Sequence, residues 1–204
     1  MARDRERSWR DAVFARRGTL LALPAAALAV FGKPSSSSIA LGVPIALAGE
    51  ALRCWAVGYS GVTTRSDRVE APKLTTAGPY AFVRNPLYVG NFLTALGFAI
   101  AFTGNDEPAK RNALVIAGLG TMLAVYAAIV PLEEAYLRET FGPEFDAYVA
   151  SVPRVIPRLA AAAPGVGSYD GAVIAKAETR TFVTFAVMLG ALALKALGSK
   201  SGAD

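Results

Sequence analysis

Between Arg84 and Glu133 the chain carries charge only in one short turn, residues 106–111. On either side of that turn lies a run, 85–105 and 113–132, without a single Asp, Glu, Lys or Arg. Each run is close to the roughly 20 apolar residues that a helix needs to cross the hydrocarbon core of a bilayer. Two such runs joined by a tight turn predict a helical hairpin, so their distant ends return to the same side of the membrane. That topology brings Arg84-Asn85 and Glu133-Glu134 to one interface. The rest of the chain has to accommodate this hairpin.

Three further apolar blocks do so. Residues 18–32 are uncharged but short for a span, so the first helix is expected to borrow Val13 and Phe14 while Arg16 and Arg17 snorkel. Segment 9–17 is expected on the membrane surface, with Trp9, Val13 and Phe14 inward. The second span is expected over 39–59, and a last one over 181–198 with Lys195 inside it, the alternative for 181–198 being a helix on the membrane surface. The expected fold is all-α: a polytopic membrane helix bundle of about five transmembrane helices, with a cytoplasmic amphipathic segment after the fourth. One domain covers 1–204. The first apolar run lacks a small-x-small cleavage pattern and is expected to be retained.

Composition settles what the basic balance means. The net charge is +5, which would suit nucleic acid, but 53% of the residues are hydrophobic and the cations flank the apolar runs. That arrangement reads as membrane orientation, with no nucleic-acid partner. Segments 1–17, 59–84 and 133–180 hold six, four and five Lys plus Arg, against one in 33–38, two in 104–112 and one after 198. The excess puts the N-terminus, Arg84 and Glu133 in the cytoplasm. There is no histidine. This removes His-based metal and haem sites and Ser-His or Cys-His nucleophile pairs, and no metal site is expected. The lone Cys54 rules out an internal disulfide.

Local signals fill in the two interface stretches. Pro86 disfavours helical geometry at Asn85 and is tolerated in a first turn, so Asn85 is expected as N-cap of the third span. Gly142 reads as a helix C′ residue and Pro143 as the start of a short helix through Tyr148 and Val149. Residues 152–158 carry two prolines and are expected to be extended, and 160–168 to be a linker. Residues 60–84 are a polar loop with Arg65, Asp67, Arg68, Glu70 and Lys73. Glu50 and Arg53 lie three apart, on one face of the second span. Charge in a membrane helix is a functional hypothesis by default; the alternative is a pair that neutralises itself near the interface.

The chemistry on offer is mixed. Glu133 and Glu134 accept from an ammonium or from ribose hydroxyls, and Arg84, Asn85 and the helix start donate to a carboxylate or phosphate. Tyr80, Phe82, Tyr88 and Tyr136 can stack on a base or cover a cation. Together these suit a ligand with a ring and opposite charges. Taken one by one, they are also ordinary membrane-interface residues.

The pattern GPYAFVRNPLYVG at 78–90, an apolar hairpin, then EE-x2-L-x3-FG-x2-F-x2-Y-x3-VPR-x-IP from Glu133 resembles a known family. It is that of the membrane-integral methyltransferases related to isoprenylcysteine carboxyl methyltransferase and phospholipid N-methyltransferase. The resemblance covers residues 39–158, leaving 1–38 as an N-terminal arm and first span and 159–204 as linker and last span. It implies an enzyme that uses S-adenosyl-L-methionine at the cytoplasmic ends of the third and fourth spans and takes a lipophilic substrate from the bilayer, among membrane lipids. Carried over by position, the implied cofactor contacts are Leu74, Thr75, Tyr80, Asn85, Pro86, Leu87, Tyr88 and Glu133. Arg84, Ile129 and Glu134 fall at implied substrate-binding positions.

Two departures matter. Where the family usually has Arg-His-Pro, this chain has Arg84-Asn85-Pro86. Asn replaces one imidazole hydrogen bond but moves no proton at neutral pH, so no catalytic base is assigned. Ile129 stands where the prenylcysteine enzymes have an arginine implied in substrate binding, which favours a neutral or weakly basic acceptor over a carboxylate. Two other readings stay open: an NADPH-dependent membrane reductase of the sterol reductase type, and a non-catalytic membrane relative.

Overall fold

The computed structural model describes residues 2–61, 73–162 and 165–201; the loop cations and acids Arg65, Asp67, Arg68 and Glu70 lie outside them. The elements are α1 (Ala2–Phe31), α2 (Ser36–Ser60), a 3-10 turn (Gly78–Ala81), α3 (Pro86–Phe102), α4 (Pro108–Val115), α5 (Thr121–Phe141), α6 (Pro143–Ser151) and α7 (Ala172–Ser201). A π turn (Ile116–Gly120) joins α4 to α5, so Pro108–Phe141 is one continuous rod. Among the described residues there is no strand.

Four helical stretches are long and apolar enough to cross a membrane: Trp9–Phe31, Ser36–Ser60, Pro108–Phe141 and Ala172–Gly198. Their outer faces are apolar: Leu23, Ile116 and Leu194 are 66%, 70% and 73% exposed. Such faces call for lipid, and the chain is an integral membrane protein.

The helix of the third run is shorter than its charge-free length. α3 has 17 residues, about 25 Å at 1.5 Å per residue. The end of the run does another job: Asn105 donates its backbone N–H to the Lys33 carbonyl (2.8 Å) and its side-chain amide to that of Pro34 (2.9 Å). Asp106 then accepts from the Lys33 N–H (2.9 Å) and from Lys110 (2.7 Å). These bonds tie the α1–α2 and α3–α4 connections together at the end of the bundle far from Glu133.

Small residues let α2 and α3 pack backbone against backbone. Gly42 and Gly49 of α2 meet Gly97 and Gly90 of α3; a Cβ at Gly90 would lie 2.7 Å from Arg53 Cγ and 2.8 Å from the Gly49 carbonyl oxygen. Close approach of this kind is how membrane helices gain dispersion contact where no hydrophobic drive between them exists.

Two expectations change. Residues 9–17 do not lie apart on the surface but continue α1, because Phe14 (7% exposed) packs into the α5 cluster of Met122, Val125 and Ile129. Trp9, expected to point inward with Phe14, is 47% exposed. The last helix begins at Ala172, well before 181, and so carries Glu178 into the bundle, 1% exposed. Lys195, at its other end, donates to the Val30 carbonyl (2.8 Å).

The Gly142-Pro143 corner forms as expected, with Gly142 at φ +51 and α6 starting at Pro143. Beyond it, 152–158 runs as a strap across the start of the hairpin. Arg84 N–H donates to the Pro153 carbonyl (2.9 Å) and Arg158 N–H to that of Phe82 (3.0 Å). The segment expected as a linker is hydrogen-bonded at both of its described parts: Ala162 N–H donates to Ala81 O (2.9 Å), and Thr76 N–H to Val166 O (2.9 Å).

Candidate active site

Glu133 closes the apolar run of α5 and faces the first turn of α3. The Tyr88 hydroxyl donates to its carboxylate at 2.6 Å. Both side chains are partly buried. Behind them the Tyr88 ring packs against that of Tyr126, with the centroids 4.4 Å apart and the planes tilted by 48°. The hairpin therefore joins its two ends through one charge-assisted bond, and the charge of Arg17 on α1 also reaches Glu133.

Glu134, the next residue, is buried and committed elsewhere. Arg84 Nε donates to one of its oxygens (3.1 Å), and Arg154 donates to both, its Nε at 3.0 Å. Arg84 also donates to the Val149 carbonyl (3.2 Å) and to that of Val152. This clasp holds the strap to the hairpin. Two of the three nitrogens of Arg84, Nε and Nη1, are thus engaged within the chain. Arg154 is half exposed, and its hydrogen bond to Glu134 raises its already high pKa.

Asn85 does occupy the N-cap position, yet its side chain makes no capping bond. Its amide donates instead to the Arg154 carbonyl (3.0 Å), a further tie between hairpin and strap. Tyr80 lends its backbone carbonyl to the Tyr148 hydroxyl (2.8 Å). Burial pushes the Tyr80 phenol up to about 12, so it is a neutral hydrogen-bonding group at any ordinary pH. Leu74 is buried against Phe145, Tyr148 and Val152, and Thr75 is half-buried on the same loop. Pro86 is buried and Leu87 half-buried at the start of α3. Ile129 is fully buried among Phe14, Met122 and Val125 with Tyr88 alongside, one turn below Glu133. The hairpin thus brings Tyr88, Glu133 and Ile129 together, while Leu74 joins the α6 side and Glu134 the clasp.

Deeper in the bundle lies a second polar cluster. Arg53 of α2 donates to Glu178 of α7 (2.7 Å), to Thr181 (3.3 Å) and to the amide oxygen of Asn91 on α3. Glu50, three residues before it, stands 3.8 Å from its Nε. The expected Glu50–Arg53 pair is thus part of a knot joining three helices, with Glu178 the nearer carboxylate. Sequence reasoning missed Glu178, Asn91 and Tyr126. Asn91 and Tyr126 were the visible anomalies, polar groups inside otherwise apolar runs.

Does this face fit a sulfonium donor of the S-adenosylmethionine type? Such a ligand carries an ammonium, ribose hydroxyls and a ring. Glu133, partly buried and bonded only to a neutral phenol among the hydrogen bonds described, suits the first two; Tyr80 and Tyr136, both partly exposed, suit the third. The donor set fits the group.

The family model described as phospholipid methyltransferase matches residues 37–144. The nickel-cobalt-cadmium resistance protein NccN of Alcaligenes xylosoxydans xylosoxydans is 35% identical over 119 residues, 58% of this chain and 48% of that protein. Protein-S-isoprenylcysteine O-methyltransferase of Schizosaccharomyces pombe is 36% identical over 86 residues, 42% of this chain and 34% of that protein. The corresponding B enzyme of Arabidopsis thaliana is 29% identical over 120 residues, 57% of each. The chain spans about half the length of the curated relatives it matches. No solved structure matches it. Among the described residues no three His, Cys, Asp or Glu side chains stand together as a metal-ligand group. The matched segment covers more than half of the chain, including both ends of the hairpin that meet at Tyr88 and Glu133, and the chain belongs to the phospholipid methyltransferase family.

Proposed function

We propose that this protein is a membrane-integral methyltransferase that uses S-adenosylmethionine at the Tyr88–Glu133 end of the hairpin and methylates a lipophilic acceptor drawn from the bilayer. The cation excess at this end supports reading it as the cytoplasmic face. The observation that carries the reading is the Tyr88–Glu133 bond: a carboxylate at the end of the apolar run of α5, held by a phenol, in a chain of this family.

When bound, the donor supplies an already activated methyl group on a sulfonium sulfur. The chain's own work is then positioning and exclusion of water. Glu133 would accept from the ammonium or the ribose, and Tyr80 and Tyr136 would pack on the ring. The clasp of Arg84, Glu134 and Arg154 keeps the strap over the hairpin start. The chain has no histidine, so no imidazole is available to take a proton, and no catalytic base is assigned.

Calorimetry on the purified protein tests this reading. S-adenosylmethionine is expected to bind and NADPH not to bind. Glu133→Gln is expected to weaken the donor by about 1.5–3 kcal/mol, the range for a hydrogen bond to a charged group, with the fold retained. Binding of NADPH in place of the sulfonium donor would transfer the chain to the reductase reading. Unchanged donor affinity in Glu133→Gln would take that residue out of the site.

A further inference from the structure

The clasp uses Arg154 of the strap and leaves the residues after it unexplained. From Arg154 the chain reads Arg-Val-Ile-Pro-Arg-Leu. Val155, Ile156 and Leu159 are all exposed, Ile156 by 81%. They do not turn inward, because the backbone around them is fixed: the Pro153 carbonyl accepts from the Arg84 N–H, and the Arg158 N–H goes to the Phe82 carbonyl. Three large apolar side chains held outward on one short segment are unfavourable in water and mark a surface that something else covers. Pro157, between Ile156 and Arg158, helps to line an apolar groove of about 170 Å³ with Leu52, Trp55, Pro79, Phe82 and Val83. That is below the roughly 300–1,000 Å³ of a pocket for a whole small molecule, so the groove suits a stretch of alkyl chain.

The groove lies at membrane depth. α2 ends at Ser60; Trp55 and Leu52 stand five and eight residues before that end, about 7 and 12 Å deeper at 1.5 Å per residue. Arg53, between them in sequence, packs against Gly90 of α3, which sets this level beside the first turns of the hairpin. Trp55 is exposed, and its ring lies against Phe82 with the centroids 6.2 Å apart. Tryptophan is enriched at this level, where hydrocarbon meets headgroups. Arg158 marks the border of the groove. Its side chain donates to the Ser151 carbonyl (2.5 Å) and meets no carboxylate among the described residues, whereas Arg154 is shared with Glu134.

We propose that the strap binds an anionic phospholipid of the leaflet beside it. One alkyl chain runs in the groove, the headgroup phosphate meets Arg158, and Val155, Ile156 and Leu159 enter the same leaflet. Apolar insertion next to cations is how interfacial segments hold to anionic membranes. A second copy of this chain could cover the apolar residues, but an exposed guanidinium at their border calls for an anion, and phosphate is the anion present at that level of a bilayer. The clasp then fixes one edge of the strap and lipid the other. The inference concerns what holds the strap and does not depend on the methyltransferase reading.

The test uses the whole chain in lipid nanodiscs. The sequence holds two tryptophans, Trp9 and Trp55, so Ile156→Trp combined with Trp9→Phe and Trp55→Phe leaves one reporter, on the strap. Its emission is expected to be blue-shifted, quenched by phospholipid with brominated chains and little affected by aqueous iodide. Quenching by iodide and not by bromine would put the strap in water and overturn the proposal. The headgroup is read in Trp9→Phe, where Trp55 reports on the groove. Brominated phosphatidylglycerol, diluted in unlabelled phosphatidylcholine, is expected to associate about fivefold more strongly than brominated phosphatidylcholine, the scale of one cation at an anionic surface. Arg158→Gln should abolish that preference with the melting temperature unchanged, and Arg158→Lys should keep it. Equal association of the two lipids, or a preference that survives Arg158→Gln, would overturn the phosphate site. Bromine quenching of Trp55 that vanishes when a disc holds two chains would assign the face to a second copy and overturn the proposal as well.

Discussion

The clasp at Glu134 and the knot at Arg53 use one chemistry at two depths. In each, an arginine holds a carboxylate from a helix far away in sequence. They differ in where the remaining guanidinium protons go. Arg84, at the membrane edge, gives them to the backbone carbonyls of Val149 and Val152. Arg53, inside the bundle, gives them to the side chains of Asn91 and Thr181. The reason is the availability of acceptors. At the edge, α6 ends and the strap is extended, so carbonyls stand free. Inside, most carbonyls of a spanning helix are engaged in the helix itself. A buried arginine there needs side-chain acceptors, and the neighbouring helices supply them. The clasp therefore holds a segment that could come away, and the knot holds helices that could slide.

The largest expected effect follows from the knot. Glu178 is 1% exposed, and Glu178→Leu removes the nearer partner of a buried guanidinium. Breaking one side of a buried pair costs about 3 kcal/mol or more, whereas replacing both sides with apolar groups is often neutral. Glu178→Leu should lower the melting temperature sharply in detergent, and Arg53→Met with Glu178→Leu should recover most of the loss. If the single change melts like wild type, the knot does not hold the helices and the comparison fails.

Next comes the clasp. Glu134→Gln leaves Arg84 with its carbonyl partners, so a loss of about 2 kcal/mol is expected, within the range for charged hydrogen bonds. The signature is local: hydrogen exchange should quicken at the Arg84 and Arg158 amides, which the strap protects, and not at the far end around Asn105. Arg154→Ala, at 51% exposure, should cost about 0.5 kcal/mol, as for an exposed pair. Uniform acceleration of exchange across the bundle would show that the clasp and the knot are not separate.

Between the two clusters sits the Tyr88–Glu133 bond, which neither of them needs. Tyr88→Phe is expected to leave melting nearly unchanged and to weaken donor binding by about 1.5 kcal/mol, the lower value for a hydrogen bond to a charged group. Calorimetry beside a melt separates the two. A drop in melting temperature without loss of donor affinity would mean that this bond, too, is structural.

Much of the clasp side was legible in the sequence. The charge-free runs predict the hairpin, and the hairpin predicts that Tyr88 and Glu133 share an end. Gly142-Pro143 predicts the corner because its chemistry is local: a positive φ followed by a residue with no N–H to lose. The knot was half legible. Helical spacing shows that Glu50 and Arg53 share a face, but no spacing rule reaches Glu178, 125 residues away. Reading the last span from 181 also put that carboxylate outside the membrane. Asn91 and Tyr126 leave no periodic trace, being single neutral groups in apolar runs. The length of α3 failed for a related reason, since an absence of charge marks what lipid tolerates and not where a helix ends.

Asn85 gives the smallest and most specific test. By sequence it is the departure that most threatens an enzymatic reading, since the family resemblance implies a histidine there. In the fold its amide does one visible thing, donating to the Arg154 carbonyl at 3.0 Å. A neutral imidazole also has one N–H donor, so Asn85→His is expected to keep this tie and to change stability by no more than about 0.5 kcal/mol. Asn85→Ala removes the donor. It should cost about 0.5–1 kcal/mol, the low end for a neutral hydrogen bond because water can reach the site. The sharper readout is pH. Wild type has no histidine anywhere, so a titration of donor affinity near pH 6.5 appearing in Asn85→His belongs to position 85 alone. A flat profile there would mean that the side chain meets only the strap, and that asparagine is sufficient because tethering is all the position does. A step in the profile would put position 85 within reach of the bound donor, and the clasp side would then hold ligand as well as chain.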